Sequence, residues 1–249
     1  MTTTRRSACD PPELVACKRV GEKVERIVFE RNAALVQLGV RNWSLAIHRR
    51  RHENRFVVQM KKIAIFASGS GTNAETIARY FENHKYIKVA LILSNKPQAC
   101  VLKRAEKLGV PTHVFSRDDL YQHNKVKDTL LNHGVDFIVL AGFLWLLPPE
   151  ILREYPRRIV NVHPALLPAY GGKGMYGRRV HEKVYENGEK ESGVTIHYVN
   201  EHYDEGQIIH QVTFPVEEGD GPAEIEQKAH NLEYREYPRM IEKLISELD

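Results

Sequence analysis

The sequence predicts an α/β fold: a mostly parallel twisted sheet with helices on both faces, completed by a C-terminal antiparallel hairpin and a last helix. Three observations lead there. From Met60 onward, short apolar runs rich in Ile and Val alternate with stretches of helical period. A glycine-rich turn, "ASGSGTN", follows the first of those runs directly. Near the end, two long strand-like segments come in succession with no helix between them, and such neighbours usually extend a sheet as antiparallel strands.

In chain order, the first buried strand is Ile63 to Ala67, and the glycine turn opens a helix over Asn73 to Glu82. "IKVALILS" is the next strand, apolar nearly throughout as a strand covered on both faces must be. A helix around 97–107, a short strand "PTHVF" and a helix from about Asp118 to Asn132 follow. "VDFIVLAGF" and "RIVNVH" give two more strands, separated by a short helix that starts at Pro148-Pro149, where proline suits the first helical turn. Beyond them come a helix near 176–187, the strands "SGVTIHYV" and "QIIHQVTFPV", and an amphipathic helix from Pro222.

The chain divides at Met60. Of its 249 residues, 1–59 carry 12 Lys+Arg against 6 Asp+Glu, which leaves residues 60–249 at a net of −2 although the whole is +4. Residues 1–59 therefore read as a basic N-terminal extension, poorly ordered or partly helical, with one helix-like stretch from Glu13 to Leu38. Its "HRRRHENR" run reads as a solvated charge cluster before it reads as an anionic-surface patch. Met60 itself reads as a translation start, because Lys61-Lys62 leads at once into a buried strand. No apolar run approaches the roughly 18 residues of a membrane span, and the N-terminus lacks the apolar core of a signal peptide. The expectation is a cytoplasmic protein. Cys9, Cys17 and Cys100 form no CxxC pair, so neither a disulfide framework nor a zinc site is indicated.

Two stretches carry chemistry. In "ASGSGTNAE" the backbone N–H groups and the positive end of the following helix can bind an anion. Gly69 and Gly71 permit the tight turn, and Thr72 and Asn73 can cap the helix. Gly69, Gly71 and Ala74 also fit the dinucleotide pattern G-x-G-x-x-A, but the second strand ends in Ser94-Asn95 where a ribose-binding carboxylate is expected, so a phosphate-bearing small molecule is favoured over NAD. The second stretch is "NVHPALLPAY". Asn161 and His163, two residues apart at a strand's carboxyl end, share a face toward the space where open α/β sheets bind ligands. A polar turn with a His-Pro corner is the plain alternative.

Together "SGSGTN", "NVHPALLP" and "GVTIHYVNEHYDEGQII" resemble the glycinamide ribonucleotide formyltransferases, in order and at ordinary spacing from Met60 to Asp249. The resemblance implies a Rossmann-like formyltransferase domain over 60–249. It implies transfer of a formyl group from 10-formyltetrahydrofolate, a co-substrate, to the amine of phosphoribosylglycinamide. Asn161, His163 and Asp204 would be catalytic, and Gly71, Thr72 and Asn73 would hold the substrate phosphate. Glu233 would contact the ribose. Leu144, Trp145, Leu146 and Leu147 would line the pterin pocket with Asn161, and Arg117 would reach the folate. The partners would be small molecules, with no nucleic acid, membrane or metal, acting on a monomer or homodimer. Trp145 departs from the basic residue common in the family, and "YGGKGMYGRRVH" is longer and richer in glycine, which leaves Lys173, Arg178 and Arg179 either on substrate or in solvent.

The chemistry of those residue types agrees. An amine attacking a formyl group on nitrogen builds a negative oxygen, and donors must point at it. Asn161 supplies a neutral donor, and His163 a cationic one if a carboxylate such as Asp204 favours its charged form. Asp204 suits a water that carries the proton from the attacking amine to the leaving nitrogen. Two relatives by chemistry differ in build: a methionyl-tRNA formyltransferase needs a long C-terminal domain, and a formyltetrahydrofolate deformylase an N-terminal regulatory one. Binding of RNA through the basic leader is the expectation of a different class, and would be strongly salt-dependent.

Overall fold

Parallel pairing of β-branched runs organises residues 59–248, which the computed structural model describes together with two short leader strands. Those two, β1 (Cys17–Val20) and β2 (Lys23–Arg26), pair antiparallel with each other. At these eight residues the helix-like reading of Glu13 to Leu38 gives way to strands, and the rest of that stretch lies outside the described residues.

The main sheet has seven strands: β3 (Lys61–Phe66), β4 (Ile87–Ser94), β5 (Thr112–Val114), β6 (Phe137–Leu140), β7 (Ile159–His163), β8 (Glu191–Tyr198) and β9 (Ile208–Pro215). Their order is β5-β4-β3-β6-β7-β8-β9, parallel from β5 to β7 and antiparallel at β8 and β9. Strand order reverses between β3 and β6, and at such a switch point the loops leaving both strands open a crevice at the carboxyl edge.

Side-chain alternation sorts the core into two layers. Ile63, Ile65, Phe137, Val139, Val160 and Val162 meet α1 (Thr72–Tyr80), α2 (Cys100–Lys107), α6 (Arg178–Glu186) and α7 (Pro222–Ser246) on one face. Ala64, Phe66, Leu91, Leu93, Ile138 and Ile159 meet α3 (Arg117–Tyr121), α4 (Lys125–Asn132) and α5 (Pro149–Glu154) on the other. The single helix expected from Asp118 to Asn132 is broken, because Asn124 takes a left-handed conformation with φ 54° and starts α4 afresh. Tyr237 ties α7 to the sheet. It is fully buried, and its hydroxyl lies 2.9 Å from the carbonyl oxygen of Leu140, the last residue of β6, and 3.1 Å from that of Val160 within β7.

Candidate active site

A cavity of about 540 Å³ opens at the carboxyl edge over the switch point. Its walls come from the loops after β3, β6 and β7, with α6 and α7 closing one end.

The glycine loop forms the first wall. Gly71 has φ +76°, and a Cβ there would lie 2.4 Å from Val101 Cβ, so glycine is required both by conformation and by space. Arg104 holds the loop from below, donating to the Ser70 carbonyl at 2.9 Å and pairing with Glu75. Thr72 and Asn73 do not cap α1 with their side chains. Gly71 occupies the cap position, and Asn73 Nδ2 donates instead to Glu233 Oε2 at 2.7 Å, joining the loop to α7. Burial pushes the Glu233 carboxyl above its ordinary pKa, and the Asn73 hydrogen bond works against that rise.

The loop after β7 forms the second wall. Here prolines are only part of what fixes the chain: Thr195 Oγ1 accepts from the Leu167 N–H at 3.0 Å and donates to the Ala165 carbonyl at 2.6 Å. Gln211 Nε2 reaches the Leu167 carbonyl and Thr195 Oγ1, each at 2.9 Å. The Leu167–Pro168 peptide is cis. The loop thereby returns the Tyr170 carbonyl to 2.8 Å from His163 Nε2. A carbonyl only accepts, so Nε2 carries hydrogen and Nδ1 is left toward Asp204, whose Oδ2 is 3.5 Å away.

Asn161 meets a residue that sequence reading did not single out. Asn161 Nδ2 lies 3.1 Å from His197 Nε2, while His197 Nδ1 lies 2.8 Å from the Tyr198 carbonyl. Nδ1 must then donate, and Nε2 accepts from Asn161. His197 Nε2 is also 3.6 Å from Asp204 Oδ1, beyond hydrogen-bond length, so the Tyr198 carbonyl decides the tautomer. Asp204 has φ 57°, a left-handed position that Asp tolerates, and accepts from the Gly172 N–H at 3.0 Å. Asn161, His163 and Asp204 thus stand together.

Burial governs the electrostatics. It lowers the His163 pKa below the ordinary histidine value although Asp204 and the Tyr170 carbonyl raise it. For Asp204 burial opposes the charge, but His197, His163 and the Gly172 N–H outweigh it and hold the carboxyl below its usual range.

The expected folate residues separate. Leu144 lines the cavity, beside Gly142 and Phe143. Leu147 is 3% exposed and packs into the core with Ile151 and Phe143. The Leu146 carbonyl accepts from the Tyr121 hydroxyl at 2.8 Å. Trp145 stands outside the cavity walls with Arg117, whose guanidinium lies 5.7 Å from the Trp145 ring and 5.0 Å from that of Tyr121. Lys173 lines the cavity, while Arg178 and Arg179 do not; Arg178 pairs with Glu182. Tyr203, His181 and His230 also line it. Among the described residues no group of three or more His, Cys, Asp or Glu could hold a metal ion, and no helix is long and apolar enough to cross a membrane.

Residues 61–241 match the family described as Formyl transferase. The chain is 38% identical over 193 residues to the chloroplastic phosphoribosylglycinamide formyltransferase of Arabidopsis thaliana, covering 75% of this chain and 66% of that one. It is 37% identical over 191 residues to the phosphoribosylglycinamide formyltransferase of Bacillus subtilis, covering 75% of this chain and 95% of that one. The chain spans just under two thirds of the plant relatives, 66% of the Arabidopsis protein and 65% of that from Vigna unguiculata. Among solved structures it is similar to the phosphoribosylglycinamide formyltransferase of Bacillus halodurans, with TM-score 0.68 and 37% identity over 76% of this chain and 97% of that one. The enzyme of that name from Streptococcus pneumoniae gives TM-score 0.66 and 36% identity over 75% and 99%.

Proposed function

The chain belongs to the formyl transferase family, and from that premise we propose that it transfers a formyl group from 10-formyltetrahydrofolate to the amine of 5-phosphoribosylglycinamide, a step of purine synthesis. The observation that carries this reading is the convergence of Asn161, His163 and Asp204 on one wall of a cavity whose other end holds the glycine loop and Glu233.

The acceptor's phosphate fits the Gly71–Asn73 loop, where backbone N–H groups and the start of α1 favour an anion. Glu233, held by Asn73, takes a ribose hydroxyl. The donor's pterin lies along Leu144 and Asn161, while Arg117 and Trp145, on the cavity's outer side, take the distal part of the folate.

With both bound, the amine attacks the formyl carbon. Asn161 Nδ2 has two hydrogens, and one is engaged by His197, so the second is available to the developing oxyanion. His163 begins neutral with Nδ1 toward Asp204, and can take the proton that the amine loses. The imidazolium so formed is stabilised by the ionised Asp204, which also holds the water that passes the proton to the folate nitrogen as the oxyanion collapses to a carbonyl and the bond between that nitrogen and the formyl carbon breaks. No step calls for a metal. The enzyme works on small molecules in the cytoplasm, as a monomer or homodimer, without nucleic acid.

The test is a spectroscopic assay of the full chain with 10-formyltetrahydrofolate and glycinamide ribonucleotide, beside a control without the amine. Turnover only with the amine is expected. Equal turnover without it would mark a deformylase and overturn the reading.

A further inference from the structure

The backbone from Tyr170 to Gly172 meets both members of the His163–Asp204 pair. The Tyr170 carbonyl lies 2.8 Å from His163 Nε2, and the Gly172 N–H donates to Asp204 Oδ2 at 3.0 Å. Between them, a Cβ at Gly171 would lie 2.6 Å from Leu167 Cδ2 and 3.3 Å from Asp204 Cβ, so the chain is pressed close between those two side chains. These three residues form a bracket around the 3.5 Å gap from His163 Nδ1 to Asp204 Oδ2.

The bracket is held in an uncommon conformation. Among the described residues four non-glycines have positive φ, and two of them meet here, Tyr170 at 58° and Asp204 at 57°. A bulky side chain seldom adopts this region, and such backbone persists only where its surroundings fix it. At Tyr170 the side chain does the fixing. Its ring packs against the core layer that includes Val162 and Val184. Its hydroxyl donates to Glu189 Oε1 at 2.5 Å and accepts from Asn187 Nδ2 at 2.8 Å. Burial and the Glu189 hydrogen bond push the Tyr170 pKa up, so the hydroxyl keeps the hydrogen it donates. Asn187 and Glu189 belong to the turn after α6, which is closed by the Gly188 N–H on the Tyr185 carbonyl at 3.0 Å. Tyr170, Asn187 and Glu189 all stand outside the cavity walls.

We infer that Tyr170 is a positioning residue: its hydroxyl, clamped by Glu189 and Asn187 away from the substrates, holds in place the backbone carbonyl that keeps His163 turned toward Asp204. The inference deepens the formyl-transfer reading and rests on it for its kinetic consequence. Without the clamp the carbonyl is free to leave His163 Nε2, and the imidazole is free to turn from Asp204. No group that touches a substrate is altered, so the rate suffers and binding does not.

The experiment compares wild type with Tyr170→Phe, Glu189→Leu and the double variant, all in the full chain. It reads the titration of His163 by NMR without ligand, and kcat and both KM values across pH. Glu189 is exposed, so Glu189→Leu keeps the fold and carries the test even where Tyr170→Phe is destabilised. The titratable groups around His163 are Asp204, His197 and His181, and the substitutions change none of them. Asp204 and the Tyr170 carbonyl both raise the His163 pKa, so loosening the bracket should lower it and move the acidic limb of kcat to lower pH. Each single variant should lose roughly three- to tenfold in kcat, the range expected for one hydrogen bond, with little change in either KM. The double variant should lose no more than the worse single one, because both substitutions release the same clamp. A His163 titration unchanged in both single variants would overturn the inference, as would losses that multiply in the double variant. KM rising as much as kcat falls would place Tyr170 in substrate binding and overturn it too. A wild type that does not formylate the ribonucleotide would overturn the proposed activity alone, since the His163 titration is read without substrate.

Discussion

Asn161 and His197 are direct partners across the antiparallel pair β7 and β8, and Asn161 Nδ2 lies 3.1 Å from His197 Nε2. His197 fixes which way the amide faces, because its Nδ1 hydrogen is engaged by the Tyr198 carbonyl and only a lone pair is left for Asn161. It is a positioning residue. His197→Phe should lower kcat by about tenfold or more while the KM values change little, since the oxyanion donor becomes free to turn. His197→Gln, which can offer an accepting oxygen, should recover part of the rate. Steady-state kinetics on both variants checks this, and a phenylalanine variant with wild-type kcat would remove His197 from the mechanism.

Asp204 and His163 should behave as one unit. Asp204→Asn keeps the size and removes the charge that raises the His163 pKa, so that pKa falls further below its ordinary value. His163 accepts a proton only when neutral, and activity rises with pH through its pKa. The acidic limb of the kcat profile should therefore move to lower pH in the variant, even as kcat at pH 7 drops by about 10²-fold. The double variant His163→Ala with Asp204→Asn should lose clearly less than the product of the single losses. Multiplicative losses would separate the two residues.

The acceptor's phosphate end is better probed at Asn73 than at Gly71. A side chain at Gly71 would collide with Val101 and strain a φ of +76°, so Gly71→Val should damage the protein as well as the site. Asn73→Ala removes a donor to Glu233 and leaves a buried carboxyl without that partner. KM for the ribonucleotide should rise by roughly tenfold or more, and KM for the folate much less. Equal rises in both would move the phosphate elsewhere.

Thr195 lies in β8, yet it sets the loop after β7. Thr195→Val keeps the shape and strips the Leu167 N–H and the Ala165 carbonyl of their partner. Leaving buried groups unmet costs about 1–3 kcal/mol each, so chemical denaturation should report a loss of that order. A valine variant as stable as wild type would show that Gln211 alone anchors the loop.

A protein beginning at Met60 should stay folded and active. The first main-sheet strand starts at Lys61, whose N–H is satisfied by the Tyr86 carbonyl at 2.7 Å. Circular dichroism and the formyl-transfer assay read the outcome, and insoluble protein on removal of residues 1–59 would make the leader part of the core.

The sequence displays its central parallel strands plainly because they are largely apolar on both faces, and "IKVALILS" matches β4 residue for residue. Asn161 and His163 were legible as a pair because strand period is local. The partnership of Asn161 with His197 was not, because it depends on the register of two strands separated by 27 residues of loop and helix. The break at Asn124 escaped for a related reason: helical period continues across a single residue that has left helical space. That Leu147 lies in the core cluster with Ile151 and Phe143 is settled by tertiary packing, which the sequence does not display.

Tyr237 and Glu233 lie one turn apart on α7, one fastened to the backbone of β6 and β7 and the other facing the cavity. On the ribosome, a nascent chain translated only as far as Val216 already contains Asn161, His163 and Asp204, but neither of these two. Domains fold as units during synthesis, so this one would stay catalytically silent until its 25-residue helix α7 has emerged and docked.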